Sequence, residues 1–389
     1  MPAAPPELTV LCDTLKTWLL DEAYPVWWLR GADGEHGGFH ERLRLDGSPT
    51  GEPRRARLHP RQMYAYSLAD ELGWSGPAAT AVQHGLDFFL AHYRRPDRLF
   101  RSVVTAAGVS ADERAVLYDQ AFALLGLAAA FDELDDESLR DAARDLHDEL
   151  RLRLANPLTC FEESTPRLLP LLSNSHMHLF EACLAWMDLD HDPRWQQLGT
   201  EIVQLALTRF IDPATGFLRE FFDEQWLPVA GIEGRIVEPG HQFEWAWLLL
   251  RWTERANDAA ARDVALRLIE LGEQHGVDPR RGVAITSLLS DYSVRDPVAR
   301  LWPQTERLKA ACIAAEHTGQ SEYWAMATSA AQGLLKYLDV PLRGLWRDKM
   351  LVDGTLVEEP APGSSFYHIV CAIAELEHTL RRTERARGT

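Results

Sequence analysis

Histidine stands near the start of three predicted helices, at matching points of a repeating pattern. The three are His178, His241 and His368, in the stretches "SNSHMHLFEA", "PGHQFEWAWLL" and "SSFYHIVCA". Imidazole titrates close to neutral pH, so it can both remove and return a proton. A single histidine at a helix start is more often a structural polar residue, but three in one phase favour a shared acid/base site.

Other polar residues occur at the same point of the repeating pattern, near the start of a predicted helix. We call this shared point the phase. Near a helix start, free N–H groups and the positive end of the helix dipole favour polar and anionic partners. Glu244 follows His241 by three residues and lies on the same helix face. Successive members of the phase, about 57–64 residues apart, are Arg61, Tyr118, His178, His241, Gln304 and His368. Further candidates beside them are Tyr64, Asp119, Gln120, Asn174, His176, Glu181, Trp302, Glu306 and Tyr367.

The pattern "HMH" resembles a metal-binding pair, but its position on a helix argues against one. Residues i and i+2 face different directions, so His176 and His178 cannot easily chelate one ion together. The sequence also has neither HExxH nor a Cys/His cluster. We therefore expect no metal and no other cofactor.

Helical periodicity dominates the chain and explains the repeat. Short connections alternate with long ones, and several long loops have the Asp-Gly and Gly-Phe steps of β-hairpins. A repeat of about sixty residues predicts an (α/α)6 barrel with all long loops on one face. An open solenoid is the alternative, but it would leave the last helix without the first as its partner. Apolar stripes predict about twelve helices, at 7–29, 57–74, 78–93, 118–134, 137–154, 175–189, 192–212, 240–258, 259–278, 303–319, 321–339 and 367–387.

Composition restricts the partners and the compartment. A net charge of −18 argues against nucleic acid and anionic membrane surfaces as partners. No signal peptide or membrane span is recognisable, and the five cysteines are scattered, which fits a reducing cytoplasm. Without a low-complexity linker, residues 1–389 are expected to form one domain. The expected state is a monomer or homodimer.

Several motifs together resemble the N-acylglucosamine 2-epimerase superfamily. They are "GGF", "PRQMYAYSLA", "NSHMHLFEA", "PGHQFEWAWLL", "WPQTE" and "YH", in this order, across residues 25–375. The superfamily includes cellobiose 2-epimerases, mannose isomerases and related aldose–ketose isomerases, and its fold is an (α/α)6 barrel. "HMHLFEA" and "PGHQFEWAWLL" are most similar to the mannose isomerase branch.

The resemblance implies roles for residues of the phase. His241 and His368 match the acid/base histidines on either side of the sugar, and Glu244 matches the glutamate beside them. Arg61 matches the arginine near the C1 and C2 oxygens. Asn174 and His178 match a pair that binds the sugar and opens its ring. Residues expected to contact the substrate are Tyr118, Asn174, His176, Trp302, Gln304 and Glu306.

Proton transfer suits these residue types. Removal of the C2 proton by imidazole produces a cis-enediolate, whose charge Arg61 can stabilise. We therefore expect a metal-independent isomerase that interconverts D-mannose and D-fructose, with D-lyxose and D-xylulose as a candidate second pair.

Three alternatives remain, and one of them is a non-catalytic barrel that binds a sugar or a partner and does not exchange a C2 proton. A second histidine that reprotonates C2 from the opposite face would make a mannose 2-epimerase or a cellobiose 2-epimerase-like enzyme. "PGSSFYH" lacks the tryptophan that cellobiose 2-epimerases carry before Tyr-His, which favours a monosaccharide. The distant alternative is a glycoside hydrolase that uses carboxylates such as Asp119, Glu244 and Glu306.

Overall fold

Twelve long helices build the fold, and a computed structural model describes them within residues 4–388. None of the described helices is long and apolar enough to span a bilayer. The first continues through π-helical turns to Gly31, and turn Ala69–Leu72 extends the second. The helices are α1 (Pro6–Trp18), α2 (Leu58–Ser67), α3 (Ala78–Tyr93), α4 (Leu117–Leu134), α5 (Glu137–Arg153), α6 (Ser173–Leu189), α7 (Pro193–Leu205), α8 (Pro239–Ala256), α9 (Ala259–Gly276), α10 (Trp302–Thr318), α11 (Ser321–Leu338) and α12 (Ser364–Gly388).

Even-numbered helices form an inner ring and odd-numbered helices an outer ring. Each inner helix contacts the next around the ring, and α12 contacts α2. On the outside, α1 packs against α11 and α12. The ring is therefore closed, which confirms the predicted (α/α)6 barrel and excludes the open solenoid.

Sequence patterns explain which helices lie inside. The inner helix α4 is apolar on nearly every side and is buried almost throughout. The outer helix α5 buries only one stripe, formed by Leu139, Ala143, Leu146 and Leu150. Short connections end in N-caps: Asp136, Asp192 and Asp258 accept hydrogen bonds from the first backbone amides of α5, α7 and α9.

Short strands link each long loop to the next in a collar around the open face. The strands are β1 (Arg42–Leu43), β2 (Arg54–Arg55), β3 (Val103–Val104), β4 (Ser110–Asp112), β5 (Ala115–Val116), β6 (Ser164–Thr165), β7 (Leu171–Leu172), β8 (Phe221–Phe222), β9 (Ile236–Val237), β10 (Val277–Asp278), β11 (Val283–Ala284), β12 (Ser287–Leu289), β13 (Val294–Asp296), β14 (Ala299–Arg300), β15 (Lys349–Met350) and β16 (Ala361–Pro362).

All strand pairs are antiparallel, and most join different loops. Pairs β2–β3, β5–β6, β7–β8, β9–β12, β14–β15 and β16–β1 connect successive loops, and the last pair closes the circle. The loops predicted to form hairpins, 37–55, 216–231 and 344–359, each fold back on themselves through an antiparallel bridge, Leu43–Pro49, Phe222–Pro228 and Met350–Leu356. Strand pairs within one loop occur at β3–β4 and β12–β13. Pairing between loops was not predicted, and it holds the rim of the barrel mouth.

Glutamines fasten the loops to the inner helices. Gln120, Gln242 and Gln304 each exchange two hydrogen bonds with one loop residue, at distances of 2.7–3.0 Å. His59 plays a similar part by accepting a hydrogen bond from the Phe39 amide. These contacts satisfy buried backbone groups that would otherwise lack partners.

Candidate active site

The collar surrounds a cavity of about 560 Å³ at the open face of the barrel. Its walls come from the first turns of the inner helices and from the loop strands. The structure therefore brings together residues that lie far apart in the chain. Eight predicted site residues line the cavity: Arg61, Tyr118, Asn174, His178, His241, Glu244, Trp302 and His368.

His241 lies at the start of α8 with its ring between a carboxylate and an indole. Its Nδ1 is 2.9 Å from Oε2 of Glu220, and its ring centroid is 5.1 Å from that of Trp302. A Cβ atom at Gly240 would lie 2.4 Å from the Trp302 ring. The Pro-Gly step before His241 thus allows the indole to approach the helix start.

His368 lies on the other side of Trp302, with a ring-centroid distance of 5.9 Å. Its Nδ1 is 2.8 Å from Oε1 of Glu306, whose other oxygen lies 2.6 Å from Nζ of Lys309. The Lys309 ammonium also lies 3.8 Å from the centre of the Trp247 ring. Glu306 thus orients the imidazole so that Nε2 is free to face a substrate.

His178 is held in a similar way. Its Nδ1 is 3.2 Å from Glu181, and the Tyr367 hydroxyl donates to the other oxygen of that carboxylate. Glu244 lies next to this pair, and its Oε1 is 3.8 Å from His178 Nδ1. This oxygen has no hydrogen-bond partner among residues 4–388. Burial raises the pKa of Glu244 well above its ordinary value, and the nearby charge of Glu306 adds to the rise.

Arg61 projects from α2 into an aromatic pocket. Its Nη2 donates to the Tyr118 hydroxyl at 2.8 Å, and its guanidinium carbon lies 4.1 Å from the centre of the Phe122 ring. No carboxylate of the described chain lies within ion-pair distance of Arg61, although this residue is only 6% exposed. Since a buried unpaired cation is costly, the site is organised to receive negative charge from a ligand.

The histidines differ in protonation. Burial lowers the pKa of His178 to about 4. Burial also lowers the pKa of His368 well below its ordinary value, and the charges of Arg61 and Lys309 lower it further. Both rings are therefore neutral near pH 7.

The environment of His241 has the opposite effect. Burial by itself would lower its pKa, but the charges of Glu220 and Glu238 and the hydrogen bond to Glu220 raise it to about 10. The cavity thus offers a proton donor on one side of Trp302 and a proton acceptor on the other.

Two overlapping groups have ligand atoms close enough to surround a metal ion. They are His178, Glu181 and Glu244, and Glu244, Glu306 and His368, with ligand atoms within 4.8 Å of one another. In the second group, Lys309 already supplies a positive charge to Glu306. Burial raises the pKa of Glu306, and this ammonium opposes the rise.

Three residues predicted to contact the substrate are not part of the cavity lining. Gln304 fastens the loop at Ala284, and Glu306 lies behind His368. His176 is fully buried, with Nδ1 3.0 Å from the Leu172 carbonyl oxygen and its ring edge-on to Trp226. The structure therefore places Gln304, Glu306 and His176 outside the cavity lining, and their contact with a substrate stays a prediction. A two-residue step on a helix turns the side chain away from the cavity.

Replacement of His176 by glutamine is expected to leave kcat within a few-fold of the wild-type value. Gln120, Gln242 and Gln304 occupy the equivalent positions of other inner helices, and each bonds the carbonyl four residues earlier, as His176 does. Steady-state kinetics and thermal unfolding of His176→Gln would check this. A loss of activity as large as that caused by removing His178 would return His176 to the active site.

Sequence reasoning missed the carboxylate behind His241 and the lysine behind Glu306. Glu220 lies in a long loop, where no periodicity indicates its direction. Lys309 had a recognisable signal, because a lysine three residues after Glu306 in an inner helix must be buried and paired. Glu181 was a candidate, and its contact with His178 gives it a place in the site.

Comparisons with known proteins agree with this architecture. Residues 37–372 match the N-acylglucosamine 2-epimerase (GlcNAc 2-epimerase) family. The mannose-6-phosphate isomerase of Rhizobium meliloti (strain 1021) is 49% identical over 375 residues, covering 95% of this chain and 97% of that protein. The D-mannose isomerase of Thermobifida fusca is 27% identical over 385 residues, covering 90% of each chain.

A solved structure shares the fold. The crystal structure of a D-mannose isomerase superposes with a TM-score of 0.87 at 19% identity, covering 94% of this chain and 98% of that one. The family predicted from the motifs is confirmed by the family match and by the 49% identical relative. The chain belongs to the N-acylglucosamine 2-epimerase family and is an enzyme that isomerises or epimerises sugars.

Proposed function

We propose that the enzyme is an aldose–ketose isomerase that interconverts D-mannose and D-fructose through a cis-enediolate, without a metal. The observation that carries this proposal is the placement of His241 and His368 on the two sides of Trp302, each with a glutamate at its Nδ1. Their surroundings raise the pKa of His241 and lower the pKa of His368. D-Lyxose and D-xylulose differ from this pair only by the terminal carbon and form the second proposed pair. One of the two relatives described above is named for mannose 6-phosphate and the other for D-mannose. Both sugars undergo the same reaction at C1 and C2.

His368 is the proposed base. It is neutral, and its Nδ1–H donates to Glu306, so the lone pair on Nε2 is available to the substrate. The C2–H bond of the aldose breaks, His368 carries the proton, and a C1–H bond then forms on the same face. The proton of the C2 hydroxyl passes to O1, so that a ketone at C2 and a hydroxymethyl group at C1 result.

Arg61 is the proposed stabiliser of the enediolate. Its guanidinium has no carboxylate partner in the described chain, so the developing charge on O1 and O2 would complete its interactions. Burial excludes water and strengthens this attraction. Tyr118 holds the guanidinium in place through its hydroxyl.

His241 and His178 are the proposed groups for opening the sugar ring. Protonated His241 can donate to the departing ring oxygen, while neutral His178, oriented by Glu181, can remove the proton of the anomeric hydroxyl. Asn174 lies in the same wall and offers an amide to the sugar hydroxyls. In this proposal Glu244 is protonated and donates a hydrogen bond.

The same geometry is compatible with 2-epimerisation. If protonated His241 gives its proton to C2 from the face opposite His368, the product is the epimer and not the ketose. Proton NMR of the purified protein with D-mannose in D₂O and EDTA separates these outcomes. Fructose with deuterium at C1 supports the proposal, and glucose labelled at C2 without fructose indicates an epimerase. No exchange with mannose, lyxose or glucose would rule out the proposed substrate class.

Replacement of Glu220 by glutamine is expected to move the alkaline limb of the pH–rate profile downward. The wild-type His241 remains protonated up to about pH 10, because Glu220 and Glu238 raise its pKa. Removal of the Glu220 charge lowers this pKa toward the ordinary histidine value of about 6.5. As the pH rises, Glu220→Gln should therefore lose activity between pH 7 and pH 9. This is about two pH units or more below the pH at which the wild type loses activity.

The matched control is Glu224→Gln, an exposed glutamate in the same loop. Profiles of kcat against pH should agree for this control and the wild type. If the alkaline limb of Glu220→Gln also remains at its wild-type position, His241 is not the proton donor.

A further inference from the structure

The cavity is rich in cations although the chain is acidic. The whole chain has 40 lysines and arginines against 58 aspartates and glutamates. The cavity lining reverses this order, with six cations and four carboxylates. The catalytic proposal uses only Arg61 among the cations. The other five are Arg42, Arg55, Arg57, Arg300 and Lys349.

One sector of the lining combines cations with the start of α12. Ser364 and Ser365 open this helix, where the first amide N–H groups have no acceptor within the helix. Ser364 is only 8% exposed and lines the cavity, yet its hydroxyl has no hydrogen-bond partner in residues 4–388. A hydroxyl that lines the cavity without a partner, beside free amides at a helix start, is suited to an anion.

The collar contributes three cations to the cavity that this helix start also lines. Arg300 and Lys349 are partners in the β14–β15 pair, and Arg42 is opposite Pro362 in the β1–β16 pair. Ser365 donates to Oδ1 of Asp348, which connects the helix start to this group.

Carboxylates orient the cations without using all of their donors. Nε and Nη2 of Arg300 lie 3.2 and 3.1 Å from Oδ2 of Asp348, so Nη1 is available. Nζ of Lys349 is 2.9 Å from Glu359, and Nε of Arg42 is 3.2 Å from Glu52. We name Ser364, Ser365, Arg42, Arg300 and Lys349 the α12 rim.

The α12 rim includes residues of the same helix as His368, the proposed base. Ser364 precedes His368 by four residues, which is slightly more than one helical turn or roughly 6 Å along the axis. This separation is similar to the distance between C2 and the far end of a hexose, so one ligand can contact both residues. The same segment, "PGSSFYH", lacks an aromatic wall for a second sugar ring.

We propose that the α12 rim binds the terminal phosphate of a phosphorylated aldose, so that the substrate class is a hexose 6-phosphate with the mannose configuration. This rests on the proposed isomerase activity and assigns the anion to a defined end of the cavity. A phosphate dianion accepts several charge-assisted hydrogen bonds at once, which a terminal hydroxyl cannot do.

Kinetics with two substrates tests the α12 rim. For the wild type, kcat/KM should be roughly 10²-fold higher with D-mannose 6-phosphate than with D-mannose. Ser364→Asp should raise KM for the phosphate ester roughly tenfold or more and change the D-mannose reaction little. An aspartate is favourable at a helix start, so the variant is expected to fold.

Neighbouring arginines on one hairpin supply a matched pair. Arg42 lines the cavity, whereas Arg44 is exposed outside it. Arg42→Gln should weaken the binding of the phosphate ester but not that of D-mannose, whereas Arg44→Gln should weaken neither. The phosphate proposal would be overturned if Ser364→Asp affected both substrates equally or if the wild type preferred D-mannose. Either result would leave the isomerase proposal intact.

Binding provides a readout that is independent of turnover. Calorimetric titration with D-fructose 6-phosphate should show binding to the wild type that Ser364→Asp loses and that inorganic phosphate displaces. If D-fructose 6-phosphate binds in this way but neither mannose substrate exchanges its C2 proton, the isomerase proposal is refuted and the phosphate-site proposal is retained. Absence of binding together with turnover of D-mannose would refute the phosphate site alone.

Discussion

His368→Ala is expected to lower kcat by roughly 10²- to 10⁴-fold with little loss of stability. The substitution removes the only neutral imidazole that we assign to the C2 proton. Glu306 keeps its contact with Lys309, so the change does not leave this buried carboxylate without a partner. Deuterium incorporation from D₂O should fall in parallel with kcat, because both processes need the same proton transfer.

His241→Ala serves as the companion variant and should also lose roughly 10²-fold or more. The two variants differ in pH dependence, since His241 acts as the protonated form and His368 as the neutral form. Thermal unfolding of both variants separates a chemical effect from a folding defect. Near-normal turnover in both folded variants would remove the two-histidine mechanism.

Arg61→Met is expected to lower kcat by roughly 10²- to 10³-fold and to retain or increase thermal stability. Methionine fills the aromatic pocket next to Phe122 and Tyr118, and it removes a buried cation that has no carboxylate partner in the described chain. A loss of catalysis combined with unchanged or higher stability indicates that the arginine serves the reaction and not the fold.

Arg61→Lys is the charge-conserving control. Lysine keeps the positive charge but loses the planar arrangement of donors, so its activity should lie between those of the wild type and Arg61→Met. C2 proton exchange should follow the same order. If Arg61→Met exchanges the C2 proton at the wild-type rate, enediolate stabilisation by Arg61 is excluded.

The barrel and the main site residues could be predicted from the sequence because their signals are local or periodic. Apolar stripes identify helices, and the repeat length places the start of each inner helix on one face. Arg61, Tyr118, His178, His241 and His368 follow this repeat and do line the cavity.

The sequence pattern does not show which side chains of an inner helix face the cavity. His176 and His178 lie two residues apart, so the pattern shows that they diverge but not which one faces the cavity. The same question applies to Gln304 and Glu306, and the structure places both outside the cavity lining. The outcome depends on how each inner helix is rotated, which packing against neighbouring helices decides.

The pKa values of the histidines and the grouping of cations in the α12 rim depend on the tertiary structure. Glu220 reaches His241 from a loop 21 residues away, and Glu306 reaches His368 across 62 residues. Arg42 and Lys349 come to the α12 rim through strand pairs between loops. The helices, the repeat and the types of chemical group follow from local patterns in the sequence. Their charges depend on burial and on partners brought near by the closed ring, and no local pattern records these contacts.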